Sequence, residues 1–139
     1  PMRGYVFLGH DSRIGQVVRN LLDNARSFTA PGTRINVRVR RVANDIEFRV
    51  EDQGPGIAPD NLDRVFERFY TDRPEGSFGS NSGLGLSISK QIIAAHKGRI
   101  WAENRFGKPD EQGLRPILGA RFIVRIPAVA DDWTPPQAA

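Results

Sequence analysis

The stretch from Asp11 to Ala30 constrains the fold most, because it reads as a helix with two kinds of neighbour. Ile14, Val17, Val18, Leu21, Leu22 and Ala25 recur at helical spacing and form a stripe that must be buried. At about 100° per residue, Gln16, Asn20, Asn24 and Ser27 gather on a different face. Asp11 or Ser12 is placed to cap the helix, and Pro31-Gly32 ends it. The apolar stripe needs a packed layer beneath it, and the row of amides is the first candidate for function.

Two alternating strands follow, near 33–42 and 45–52, and read as a hairpin joined at Asn44-Asp45. Arg34, Arg38 and Arg40 alternate with Ile35, Val37 and Val39, and Glu47, Arg49 and Glu51 with Ile46, Phe48 and Val50. The charged faces are expected to pair across the strands. Residues 4–8 read as a short first strand, and Pro59 starts a short helical stretch through Leu62, Val65, Phe66 and Phe69. Residues 71–83 hold glycines, serines and Pro74 without an apolar period, as a mobile loop would. A second helix is expected from about 84 to 97, with Leu84, Ile88, Ile92 and Ala95 on one face and Gly98 as its stop. Strands near 99–104 and 119–126 close the pattern. The expected architecture is an α/β (α+β) two-layer sandwich, a mixed sheet of about five strands covered on one face by about three helices. Residues 1–127 would form the domain, and residues 128–139, with Asp131, Asp132, Pro135 and Pro136, a disordered tail.

With 139 residues, 39% of them hydrophobic, the chain suits one domain and hardly two. No apolar run approaches the ~18 residues a membrane span needs, and no basic-then-apolar leader is present. Pro1-Met2 reads as the start of an excised piece, which leaves room for a membrane-anchored parent. The absence of cysteine excludes disulfides and thiolate metal sites. A net charge of +4 raises nucleic acid as a partner. The arginines are not clustered, however, and their alternation favours a solvated sheet face.

Two glycine turns complete the chemistry. Asp52-Gln53-Gly54-Pro55-Gly56 closes a strand, and Gly83-Leu84-Gly85-Leu86 opens a helix. A carboxylate at Asp52 can accept the hydrogen bond of the adenine amino group, and Gly54 and Gly56 let backbone and water approach a ring. Unpaired N–H groups at a helix start attract phosphate. One amide oxygen from Asn24, with phosphate oxygens and water, suits magnesium, and Asn20 could orient water or a phosphate. Arg68 and Arg73 flank the loop within reach of phosphates. Each element alone is an ordinary feature: an amide pair on a helix, an Asp-x-Gly turn, a tight Gly-x-Gly. Their order and separation together make a magnesium-nucleotide, ATP, the first ligand to consider.

These residues resemble the ATP-binding catalytic domain of bacterial two-component sensor histidine kinases, within the GHKL superfamily. The N box looks like Asn20-Leu-Leu-Asp-Asn24-Ala25, and the G1 box like Asp52-Gln-Gly-Pro-Gly56. The F box looks like Phe66-Glu-Arg-Phe-Tyr70, and the G2 box like Gly83-Leu-Gly-Leu86. The resemblance covers residues 4 to about 127, and the run TDRPEGSFGSNSGLGLSISKQI is similar to envelope- and acid-sensing kinases of alphaproteobacteria. It implies a Bergerat-type sandwich with a lid at 70–85, Asn24 on magnesium and Asp52 on the adenine amino group. It also implies Gly83 and Gly85 beside the phosphates, with Leu84, Arg68 and Arg73 nearby. Phe28 would lie near the base, Tyr70 would be a further nucleotide-binding residue, and Ile57 and Leu86 would line the apolar part of the pocket. Two positions depart from the pattern: Ser27 stands where many members carry lysine, and His96-Lys97-Gly98 where His-Gly-Gly is common.

The resemblance implies transfer of the γ-phosphoryl of ATP to a histidine on a separate helical hairpin, in the same protein or its dimer mate, and a response regulator downstream. Nothing before residue 11 could form that hairpin, and His10 and His96 are poor acceptors. A GHKL-type ATPase is the alternative, but gyrase-like and chaperone relatives place a glutamate where Asn20 stands, and an amide is no general base. A serine kinase of the anti-sigma type and a non-enzymatic interaction module are further alternatives.

Overall fold

Helix α1 spans Asp11–Phe28, and the Asp11 carboxylate accepts the Ser12 N–H at 2.7 Å where it begins. The computed structural model describes residue 7, residue 9, residues 11–68, residue 70 and residues 84–129. Val17, Leu21 and Ala25 are buried, as their spacing requires, and Asn24 and Ser27 are buried beside them. Strands β1 (Asn36–Val42) and β2 (Asp45–Glu51) form the expected hairpin. Its turn sits one residue earlier than expected, at Ala43-Asn44, because Asp45 already pairs with Val42 and Ala43 takes the positive φ of 51°.

Helix α2 spans Gly85–Ala95, and strands β3 (Arg99–Phe106) and β4 (Ile117–Pro127) follow. The end of α2 differs in detail from the expectation. Lys97, not Gly98, takes the left-handed conformation, with φ 61°. The Lys97 N–H donates to the Ala94 carbonyl at 3.0 Å and the Gly98 N–H to the Ile93 carbonyl at 2.9 Å, which closes the helix. Glycine is needed at 98 because a Cβ there would overlap the Arg125 carbonyl of β4.

The sheet order is β1-β2-β4-β3, and every pairing among the described residues is antiparallel. The expected mixed sheet of five strands and three helices is therefore corrected to four antiparallel strands and two α-helices among the described residues. Of the expected first strand only Phe7 is described. The expected helix from Pro59 is two 3-10 turns, Pro59–Asn61 and Arg64–Phe66. Glu67 is already extended (ψ 147°), so the segment is too short to repay the nucleation of an α-helix. The expected lid is described only at Tyr70, Leu84 and Gly85, and residues 130–139 of the expected tail lie outside the described residues.

The core lies between the helices and one face of the sheet. Ala120, Phe122, Val124 and Ile126 of β4 pack there with Val17 and Leu21 of α1 and Ile92 and Ile93 of α2. Phe66 meets Phe122 edge to face, with centroids 6.1 Å apart, so the 3-10 turns are anchored on the sheet. The opposite sheet face carries the charges. Glu47, 0% exposed, pairs with Arg40, Arg49 and Arg125, and Glu51 pairs with Arg105 and Arg121. The expected pairing across the hairpin is thus present in Arg40–Glu47, and it extends to β3 and β4.

Candidate functional site

Asp52 follows the last residue of β2 and is 2% exposed. Its N–H donates to the Ala120 carbonyl at 3.0 Å, and the Ala120 N–H donates back to Asp52 Oδ1 at 3.0 Å. The Gly54 N–H donates to the same oxygen at 2.9 Å. No described residue donates to Oδ2, so one carboxylate oxygen is anchored and the other keeps its acceptor capacity. Burial pushes the carboxyl up from its usual range, against the N–H groups of Ala120 and Gly54 and the charge of Arg105. Arg105 Nη1 also donates to the Asp52 backbone carbonyl at 2.6 Å.

The turn after Asp52 is packed from two sides. A Cβ on Gly54 would stand 2.7 Å from the Phe28 carbonyl oxygen, so this turn lies against the end of α1. Gly56 has φ 80°, and a Cβ there would stand 2.8 Å from Asn104 Oδ1. Asn104 holds the next residue at both ends: the Ile57 N–H donates to its Oδ1 at 2.8 Å, and its Nδ2 donates to the Ile57 carbonyl at 2.6 Å. Glycine at 54 and 56 is thus required by close approach as well as by any ligand. Ile57 is buried and Phe28 half-buried.

The amide stripe of α1 faces the start of α2. Asn20 Nδ2 donates to the Gly85 carbonyl at 3.1 Å and to Ser89 Oγ at 3.2 Å. Asn24 is 2% exposed, one turn further along. The Ser27 hydroxyl donates to the Asn24 carbonyl at 2.9 Å, so it serves the helix and replaces no lysine charge. Leu84 caps α2, its carbonyl accepting the Ile88 N–H and the Ser87 hydroxyl, each at 2.9 Å. Leu86 is half-buried beside the core. Tyr70 is half-buried, with the Arg64 guanidinium 5.9 Å from its ring centre, and Arg68 is exposed. Arg73 and Gly83 lie outside the described residues.

The structure therefore joins Asn20 to Gly85, Asp52 to Gly54, and Gly54 to the Phe28 carbonyl. Five residues missed by sequence reasoning hold these parts: Ser89, Asn104, Arg105, Gly119 and Ala120. Two had a signal. Asn104 is polar where the alternation of β3 calls for an apolar residue, and Gly119 interrupts a strand, a mark of close backbone approach. A Cβ on Gly119 would overlap the Asp52 carbonyl oxygen and stand 3.1 Å from Oδ1.

Residues 9–130 match the family described as Histidine kinase-, DNA gyrase B-, and HSP90-like ATPase. The chain belongs to this family. Its relatives within this ATPase family are sensor kinases. The chain is 51% identical over 130 residues to the sensor protein ChvG of Rhizobium meliloti, covering 92% of this chain and 22% of that protein. Among solved structures it resembles a mycobacterial sensor histidine kinase, MprB, with TM-score 0.69 and 35% identity, over 86% of this chain and 72% of that one. A histidine kinase, ThkA, solved in complex with the response regulator TrrA, matches with TM-score 0.64 and 31% identity, over 85% of this chain and 29% of that one. The domain is thus of the histidine kinase catalytic type, and it spans about a fifth of the curated relative's length. No helix among its described residues is long and apolar enough to cross a membrane.

Proposed function

We propose that this domain binds Mg-ATP and presents the γ-phosphoryl group to a histidine on a separate helical-hairpin domain of the same protein or its dimer mate. The observation that carries the reading is Asp52, a buried carboxylate with Oδ1 tied to two backbone N–H groups and Oδ2 left to accept. That polarity suits the amino group of adenine and rejects the oxygen guanine carries at the matching place. Ile57, Phe28, Tyr70 and Leu86 would bound the ring, and Gly83, Leu84 and Gly85 with Arg68 and Arg73 would meet the phosphates at the start of α2.

Asn24 is the residue that would hold magnesium, with phosphate oxygens and water completing its shell. No group of three or more His, Asp or Glu side chains converges among the described residues, so the phosphates are needed to complete such a site. When bound, the metal would neutralise phosphate charge as the bond to the β-phosphate oxygen breaks. The chain's own work is to orient the nucleotide and to exclude water, which is most of what phosphoryl transfer requires. Asn20 has no basicity to activate a water, which favours transfer to a partner histidine over hydrolysis.

Residues 1–127 form the working domain in this reading, and a response regulator receives the phosphoryl group downstream. The parent kinase is anchored in the bacterial inner membrane and this domain is cytoplasmic. No nucleic-acid partner enters this reading: Glu47 and Glu51 lie among the arginines of the basic sheet face and engage five of them. Calorimetric titration of Mg-ATP into the chain tests the proposal. Micromolar-range binding that is lost in Asp52→Asn is expected, because the variant turns an amide donor toward the adenine amino group. Equal binding by both would refute the role of Asp52.

A further inference from the structure

The amide of Asn20 is held in one orientation by α2. Its Nδ2 lies 3.1 Å from the Gly85 carbonyl oxygen and 3.2 Å from Ser89 Oγ. A carbonyl oxygen only accepts, so the nitrogen must face α2 and Oδ1 must face away from these two groups. Ser89 is 0% exposed and lies one turn after Gly85, so its hydroxyl can serve no solvent. A Cβ on Gly85 would stand 3.6 Å from Asn20 Cγ and 3.8 Å from Oδ1, ordinary packing that sets the start of α2 directly on the amide.

With both N–H bonds of Asn20 engaged, only acceptor lone pairs remain. Phosphate oxygens are acceptors too, and two acceptors make no hydrogen bond. An amide oxygen presented alone takes a cation or a proton donor, and beside the phosphates of a metal-nucleotide those are the metal ion and its bound water. We propose that Ser89 is a positioning residue that, together with the Gly85 carbonyl, holds Asn20 oxygen-outward, and that this makes nucleotide binding here prefer the metal complex over free ATP. The inference rests on the nucleotide reading above and decides which of two partners, water or phosphate, Asn20 meets.

Two measurements on the 139-residue chain test it. In NMR spectra without nucleotide, both Asn20 Nδ2 protons should be protected from exchange, and Ser89→Ala should expose one of them. In calorimetry, the preference for Mg-ATP over ATP in chelator should fall about fivefold in Ser89→Ala, with metal-free affinity unchanged. Ser89→Thr, which keeps the hydroxyl, should restore the preference. Unchanged Asn20 protons in Ser89→Ala, or equal weakening with and without metal, would overturn the proposal. Failure of the unaltered chain to bind ATP in any form would overturn the nucleotide reading and the metal role together, while the Asn20 protons would still report whether Ser89 holds the amide.

Discussion

Gly119→Ala is the substitution through which fold and site are best tested together. Gly119 has φ 154°, a region essentially closed to other residues, and an added Cβ would overlap the Asp52 carbonyl oxygen and stand 2.8 Å from its carbon. Ordinary contact begins at 3.4 Å and the oxygen overlap is worse, so β4 and the end of β2 must part by about 1 Å. The two hydrogen bonds between Asp52 and Ala120 are each 3.0 Å long and cannot survive that separation. Each is worth about 1 kcal/mol net, and the groups left behind are buried, so with backbone strain the cost is about 3–4 kcal/mol. Asp52 Oδ1 would also lose one of its two anchors, and the carboxylate could turn away from the base. Gly113→Ala is the control: its φ of 79° carries backbone strain, but nothing lies within 4 Å of the added atom, so about 1 kcal/mol is expected. Urea unfolding would measure both variants, and ATP titration would show binding lost only in Gly119→Ala. If Gly119→Ala unfolds within about 1 kcal/mol of the unaltered chain and binds ATP as well, the clamp on Asp52 is not what this geometry says.

Asn104→Ala removes both bonds to Ile57 and should cost about 2 kcal/mol in urea unfolding while weakening ATP about tenfold. Burial alone would raise the Glu47 carboxyl, but hydrogen bonds from Arg40, Arg49 and Arg125 hold it at about 2 against an ordinary 4.5. That lowering stabilises the fold by about 3 kcal/mol above pH 4.5, and the contribution disappears as pH falls toward 2. The stability gap between the unaltered chain and Glu47→Gln should therefore close by that amount over the same interval, and a gap independent of pH would contradict it. Asp52 has the opposite sign: its folded carboxyl is raised above 3.8, so its ionisation costs stability as pH rises through that window. Asp52→Asn should accordingly be no less stable than the unaltered chain at pH 7, measured by thermal unfolding, even as it loses ATP. His96 Nδ1 stands 2.7 Å from the Ile92 carbonyl and the ring is half-buried, so incubation with ATP should leave the purified chain without a stable phosphoryl group by mass spectrometry.

What sequence alone could reach in this chain was whatever is periodic over one turn or one strand. The apolar stripe of α1, the alternation of Ile46, Phe48 and Val50, and a second helix ended before Gly98 are local patterns; the structure contains each, with α2 stopping at Ala95 rather than at about 97. The helical stretch expected from Pro59 is present as two 3-10 turns rather than an α-helix, because the segment carrying Leu62, Val65 and Phe66 is too short to repay α-helix nucleation. The site divides in the same way. Asp52, Asn20 and Gly54 announce themselves by type and spacing, but the groups that aim them come from far along the chain. Ala120 is 68 residues from Asp52, Asn104 is 47 from Ile57, and Ser89 is 69 from Asn20. None carries a charge and none stands in a glycine turn; only Asn104, polar on the inward face of β3, carries a local mark. The recognisable boxes supply the chemistry, and β3, β4 and α2 supply its direction. A chain could therefore keep every box and still bind ATP more weakly through a change at Ser89 or Asn104, or lose it through Gly119.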